Sequence, residues 1–248
     1  MLHRVRRLAA RFVNADQHAY IGAHGCLRTA ASFVTWNQVE GDYLEFGVYR
    51  GESFATAYRS LLRQRRGHSL SGPEPPEYRS WKANPPRFFA FDSFEGLPPG
   101  AVERHADYFP GAYRCSAAEF TASIARDGVD LSRVIVVPGF YDQTLHQDTK
   151  RTHGLTKAAV VMIDCDLYES TVPVLDFLTD LVGQGTILIF HDWFRFKGRP
   201  DCGEQRACRE WLARNPSIEL IEYWREGPQA VSFLVNLKAA PGREGQDE

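Results

Sequence analysis

From residue 41 onward the chain alternates short, continuous apolar runs with longer stretches in which apolar positions recur every three or four residues. The runs are DYLEF (Asp42 to Phe46), RFFAFD (Arg87 to Asp92), VIVVP (Val134 to Pro138), AAVVMID (Ala158 to Asp164) and TILIF (Thr186 to Phe190). Unbroken apolar strands of this length suit a sheet buried on both faces rather than one with a wet side. Helical spacing runs over Ser53 to Arg65, Glu119 to Asp127, Thr171 to Val182 and Glu204 to Arg214. IELIEYW (Ile218 to Trp224) and AVSFLVNL (Ala230 to Leu237) read as a closing hairpin. Two stretches break the alternation. Arg66 to Pro86, rich in Gly, Pro, Ser and charge, predicts an irregular surface insertion. Leu97 to Ser116 predicts a long loop carrying three exposed aromatics, Tyr108, Phe109 and Tyr113. Ahead of all this, Leu2, Val5, Leu8, Ala9, Phe12 and Val13 fall at the spacing of an amphipathic opening helix.

Five parallel strands separated by helices, plus a terminal hairpin, predict a doubly wound, seven-stranded, mostly parallel α/β sheet with one antiparallel strand near its edge. The expected organisation is a helical segment over 1–40, one domain over 41–238 and a disordered tail over 239–248. In such sheets ligands bind beyond the carboxyl ends of the strands. The positions to examine are therefore Glu45-Phe46-Gly47, Asp92, Gly139, Asp164 and His191-Asp192.

Charge and composition narrow the classes. Lys and Arg number 29 against 31 acidic residues, which leaves no basic footprint for a nucleic-acid backbone. No apolar run reaches the ~18 residues of a membrane span. The basic N-terminus lacks the apolar core of a secretory signal. Five scattered cysteines without a CxxC pair read as free thiols, with the cytoplasm as the expected compartment.

Each strand end carries chemistry. Glu45-Phe46-Gly47-Val48-Tyr49-Arg50-Gly51 is an E-x-G-x-x-x-G turn into a helix, where glycines let backbone approach a ligand. Tyr49 stands where a dinucleotide fingerprint wants its second glycine, and turn chemistry alone also explains the glycines. Asp92 occupies the usual place of a ribose-binding carboxylate, and equally suits an N-cap. Asp164 and Asp166 project from one strand end, with His191 and Asp192 beside them if the strands are neighbours. Together these four suit a divalent cation.

In order and spacing, YLEFGVYRGES, FDSFEGLPP, PGFYDQTL, IDCDLYEST and IFHDWF resemble the macrocin O-methyltransferase family (TylF-, MycF- and NovP-like enzymes), from about Tyr43 to Leu212. The resemblance implies a Rossmann-like class I methyltransferase fold that uses S-adenosylmethionine and a divalent metal to methylate sugar hydroxyls of natural products. It implies that Glu45, Gly47 and Gly51 line the methionine end of the cofactor and that Asp92 holds the ribose, with Ser93 and Phe94 beside it. Gly139 and Phe140 would border the adenine, and Asp164 would face the cofactor while binding metal. Asp166 would be the general base, and Asp192 a metal ligand beside His191.

His191 falls where that family usually writes a second aspartate. Mg²⁺ is the expected ion, with Mn²⁺ or another divalent ion as the alternative, since a nitrogen donor moves preference towards Mn²⁺, Fe²⁺ or Zn²⁺; His191 as base is the other reading. The expected acceptor is a small hydroxylated molecule, a sugar with a vicinal diol, and the assembly is open to a homo-oligomer. Two competing readings are a nucleotide-dependent dehydrogenase and a non-catalytic S-adenosylmethionine-binding protein.

Overall fold

The computed structural model describes residues 24–99 and 105–238. The expected opening helix at Leu2 to Val13 and the tail over 239–248 lie outside those residues. Seven strands build one sheet: β1 (Asp42–Phe46), β2 (Phe88–Asp92), β3 (Val134–Pro138), β4 (Ala158–Ile163), β5 (Ile187–Phe190), β6 (Ile218–Glu226) and β7 (Ala230–Leu237). Their order is β3-β2-β1-β4-β5-β7-β6. The first five run parallel to one another, and β7 runs antiparallel to both β5 and β6. This is the doubly wound α/β arrangement expected, with its antiparallel strand one place in from the edge. The chain winds outward in opposite directions from β1 and β4, so a crevice opens between their ends.

Among the described residues eight helices accompany the strands: α1 (Gly25–Trp36), α2 (Glu52–Gly67), α3 (Pro76–Ala83), α4 (Ala117–Arg126), α5 (Tyr141–Thr144), α6 (Gln147–His153), α7 (Tyr168–Leu178) and α8 (Gly203–Arg214). Strand alternation sorts their contacts into two cores. Tyr43, Phe88, Ala90, Val160, Met162, Ile187 and Ile189 meet α1, α2 and α4 through Leu27, Val34, Phe54 and Phe120. On the opposite face, Leu44, Phe46, Phe89, Phe91, Val161, Ile163 and Phe190 meet α7 and α8 through Val174, Leu178 and Trp211. Phe46 stacks on Phe91, their ring centroids 4.7 Å apart, so the strands that carry the site are locked close to their ends.

Three local expectations change. The insertion after α2 is not irregular throughout: α3 starts with a proline in its first turn and buries Tyr78 and Trp81 completely or nearly so. Trp81 donates to the Val39 carbonyl at 3.3 Å and lies 3.9 Å beneath the Arg65 guanidinium. Only two apolar residues carry that helix, and its Gly- and Pro-rich flanks mask them. Next, α7 begins at Tyr168 rather than Thr171 and ends at Leu178, because its polar first turn covers the strand end instead of the core. Finally, Tyr108 is buried rather than exposed, whereas Phe109 and Tyr113 are exposed as expected. No helix among the described residues is long and apolar enough to cross a membrane.

Candidate active site

A cleft of about 770 Å³ opens beyond the ends of β1, β2, β4 and β5. Its floor is backbone. The Gly47 N–H donates to the Phe91 carbonyl and the Asp164 N–H to the Phe46 carbonyl, both at 2.9 Å, so three strand ends are joined there. Gly47 holds a left-handed φ of +86°, and a Cβ on it would lie 1.8 Å from the Asp164 carbonyl oxygen. No other residue fits that approach. The Asp92 side chain then fixes the turn. Its Oδ2 accepts from the N–H groups of Val48 (2.9 Å) and Tyr49 (3.3 Å), and its Oδ1 accepts from Phe94 N–H at 2.7 Å. A carboxylate offers about four lone-pair sites, so Asp92, which lines the cleft, keeps accepting capacity beyond the turn it holds. Burial raises its pKa against the pull of those three N–H groups.

Opposite this turn stands an acidic cluster. Asp164 follows β4, and His191-Asp192 follow β5, its hydrogen-bonded neighbour. One donor atom from each of Asp164, His191 and Asp192 lies within 4.8 Å of the others. His191 Nδ1 is 2.9 Å from Asp164 Oδ1 and 3.8 Å from Asp192 Oδ2. The three donors are close enough to one another to hold one ion. The charges agree. Burial, then the charges of Asp192 and Asp164, push Asp166 up to about 9, with its acid proton shared towards Asp192. Burial opposes charge on His191, yet Asp164 and Asp192 outweigh it and push the imidazole up to about 12. Asp192 is held below the usual range despite its burial, by hydrogen bonds from His191 and Arg195. Carboxylates crowded to this degree retain a proton unless positive charge is supplied, and a divalent ion is the largest local charge that can supply it.

A model of the macrocin O-methyltransferase family (TylF) matches residues 79–212, more than half of the chain. The chain belongs to that family. Among its relatives is a tetracenomycin rhamnosyl 4'-O-methyltransferase of Streptomyces olivaceus, 29% identical over 162 residues, which cover 62% of this chain and 54% of the relative. This chain thus spans about half the length of that protein. Demethyldecarbamoylnovobiocin O-methyltransferase of Streptomyces niveus is 29% identical over 223 residues, covering 86% of this chain and 75% of the relative. The solved structure of the O-methyltransferase NovP superposes with a TM-score of 0.62 at 24% identity, covering 86% of this chain and 79% of that one, a likeness of fold.

Within this member of the macrocin O-methyltransferase family, the residues expected at the site divide into two groups. Gly47, Asp92, Ser93, Phe140, Asp164, Asp166, His191 and Asp192 line the cleft. Glu45, Gly51, Phe94 and Gly139 do not. Glu45 shares a sheet face with Tyr43, is wholly buried against α2 and accepts from the Tyr43 and Ser53 hydroxyls. Burial pushes it up to about 8. Gly51 backs onto Ile124 and Phe120, and Phe94 packs on the same Phe120 ring. Trp193 and Phe194 also point away from the cleft: Trp193 packs between Phe190 and Phe233, and Phe194 lies under Arg225.

Two other cleft residues, Arg195 and Gln229, carried no sequence signal. Arg195 donates Nε–H to Asp192 Oδ1 at 3.0 Å, and Gln229 enters from the β6–β7 turn. Tyr49 and Tyr113 meet edge to face at the mouth, with ring centroids 6.1 Å apart. Behind Tyr113, the buried Tyr108 hydroxyl faces Asp166 without a hydrogen bond of good geometry. Asp166 itself has a left-handed φ of 64°, which aspartate tolerates better than most residues and which active sites often retain.

The close approach at Gly47 has a measurable consequence. Gly47→Ala should destabilise by more than the roughly 1–2 kcal/mol of a left-handed alanine, because its Cβ also collides with the β4 backbone. Urea unfolding at wild-type midpoint and slope would contradict that packing.

Proposed function

We propose that this chain methylates a hydroxyl of a small molecule, a sugar bearing neighbouring hydroxyls, using S-adenosylmethionine and a divalent cation held by Asp164, His191 and Asp192. One observation carries this reading: a three-donor cation site and a fourth carboxylate, Asp166, converge on the cleft that Gly47 and Asp92 also line. The name of the Streptomyces olivaceus relative, which specifies a rhamnosyl 4'-hydroxyl, supports a sugar acceptor. When bound, S-adenosylmethionine supplies an electrophilic methyl on a sulfonium, and a divalent cation lowers the pKa of a hydroxyl and fixes its position.

The chain's own groups do the rest. Gly47 lets the backbone lie against the cofactor, and Asp92 accepts from ribose hydroxyls with its spare lone pairs. Phe140 gives an apolar wall for a base. Asp166 takes the proton of the acceptor hydroxyl as that oxygen gains the methyl group and the carbon–sulfur bond breaks, leaving neutral S-adenosylhomocysteine. Tyr49 and Tyr113 close the mouth over the acceptor and exclude water. His191 lies between two carboxylates, which favours a ligand over a base. Its nitrogen donor favours Mn²⁺ or a later divalent ion over Mg²⁺. The five cysteines are all free, which suits a reducing, cytoplasmic setting.

A panel of glycosides incubated with methyl-labelled S-adenosylmethionine tests the reading, with label expected on glycosides that offer a vicinal diol. Thermal stabilisation by NAD(P) rather than S-adenosylhomocysteine would assign the cleft to a dehydrogenase instead.

Asp92 gives a second test. Asp92→Asn keeps one oxygen acceptor but loses the charge, and it should weaken S-adenosylhomocysteine binding by about 1.5–3 kcal/mol in calorimetry. Asp92→Ala should weaken it further, since the Val48–Tyr49 turn also loses its clamp. Wild-type affinity in a folded Asp92→Asn protein would remove the ribose from Asp92.

A further inference from the structure

His191 and Asp192 do not sit in a strand. β5 ends at Phe190, and the chain then runs as loop, with a single 3₁₀ turn at Phe196–Gly198, until α8 begins. The His191 N–H is the last to follow the sheet, donating to the Ile163 carbonyl at 2.9 Å. The next N–H, that of Asp192, goes instead to Glu204 Oε2 at 3.0 Å. Its neighbour Gln205 donates Nε2–H to the Trp193 carbonyl at 2.6 Å. The first turn of α8 thus grips the N–H of Asp192 and the carbonyl of Trp193. Gly203, with a left-handed φ of +54°, lets α8 start close to the loop, since a Cβ there would lie 2.9 Å from the Phe196 ring.

Glu204 is 1% exposed, and its second oxygen, Oε1, has no hydrogen-bond partner among the described residues. A half-satisfied buried carboxyl costs stability, and an apolar side chain would fill the space without that cost. The contact it makes bears on the cation site, because carboxylate and imidazole ligands borne on a loop keep their geometry only through groups behind them.

We propose that Glu204 is a positioning residue: through the Asp192 N–H it holds the His191-Asp192 pair against Asp164, with Gln205 as the second point of the grip. This rests on the metal-assisted reading above. The experiment compares wild type, Glu204→Ala, Glu204→Gln and Gln205→Ala in three measurements: hydrogen–deuterium exchange of peptides covering residues 189–195, Mn²⁺ affinity, and S-adenosylhomocysteine affinity.

Glu204→Ala should exchange faster over 189–195 and lose about 10–100-fold in Mn²⁺ affinity, with S-adenosylhomocysteine affinity unchanged. Glu204→Gln keeps an oxygen acceptor for the Asp192 N–H and should restore both. Gln205→Ala should move in the same direction by less, and with Glu204→Gln it decides the matter if Glu204→Ala does not fold. Wild-type exchange and Mn²⁺ affinity in Glu204→Ala, or in Gln205→Ala where Glu204→Ala does not fold, would overturn the proposal, as would a Glu204→Gln protein as impaired as Glu204→Ala. A wild-type protein that binds no Mn²⁺ would sink the metal reading alone, and the exchange comparison would still decide whether Glu204 holds the loop.

Discussion

Asp166→Asn is expected to bind S-adenosylhomocysteine and Mn²⁺ like the wild type yet to lose about 10²–10⁴-fold in kcat, the usual contribution of a positioned base. Asparagine is the substitution least disruptive at this point. It tolerates the left-handed backbone that Asp166 adopts, and it keeps an oxygen towards the same neighbours. What it lacks is a site for the proton. The comparison that gives this result meaning is His191→Asp, which replaces the nitrogen donor with a carboxylate. If His191 is a ligand, His191→Asp keeps substantial activity and shifts preference towards Mg²⁺, because an all-oxygen site suits the harder ion. If His191 is the base, His191→Asp is nearly inactive at saturating metal while Asp166→Asn survives.

Asp164→Asn and Asp192→Asn are each expected to abolish detectable Mn²⁺ binding and to lower the rate to background, without rescue by excess metal. Each change removes a negative ligand from a three-donor set, leaving one carboxylate and one imidazole. Asp192→Asn has a further effect, since Arg195 loses the nearer of its two acidic partners and keeps Asp107, at 3.7 Å. Metal content by elemental analysis separates these variants from Asp166→Asn, whose loss is confined to turnover. Wild-type metal content in both aspartate variants would show that the ion binds elsewhere.

Much of this site was legible before any coordinates. Five apolar runs placed the strand ends, and acids at two of those ends marked the cluster of Asp164, His191 and Asp192. Period alone placed Asp164 beside His191-Asp192 once β4 and β5 were taken as neighbours. Glu45 shows where the resemblance outran the physics. Alternation along β1 puts residue 45 on the face of Tyr43, towards α2, and a strict reading of the pleat would have buried it. Arg195 and Glu204 left no trace because their roles depend on how loops fold back, and Tyr108, expected on the exposed side of its loop, is buried for the same reason. Arg195 reaches Asp192 three residues away around a turn, and Glu204 reaches its N–H across twelve residues. Helix α3 was hidden for a related reason, since two buried aromatics in eight residues do not make a period.

The proposed cation at Asp164, His191 and Asp192 assists methyl transfer in this cleft. Its most direct test uses wild-type protein and an acceptor identified from the glycoside panel. Transfer of labelled methyl is measured after exhaustive chelation, with metal content confirmed as nil, and again during titration with Mn²⁺ and Mg²⁺. The account predicts no transfer in the chelated protein and a saturable return, at lower concentration for Mn²⁺ than for Mg²⁺. Full-rate transfer by the metal-free protein would contradict it.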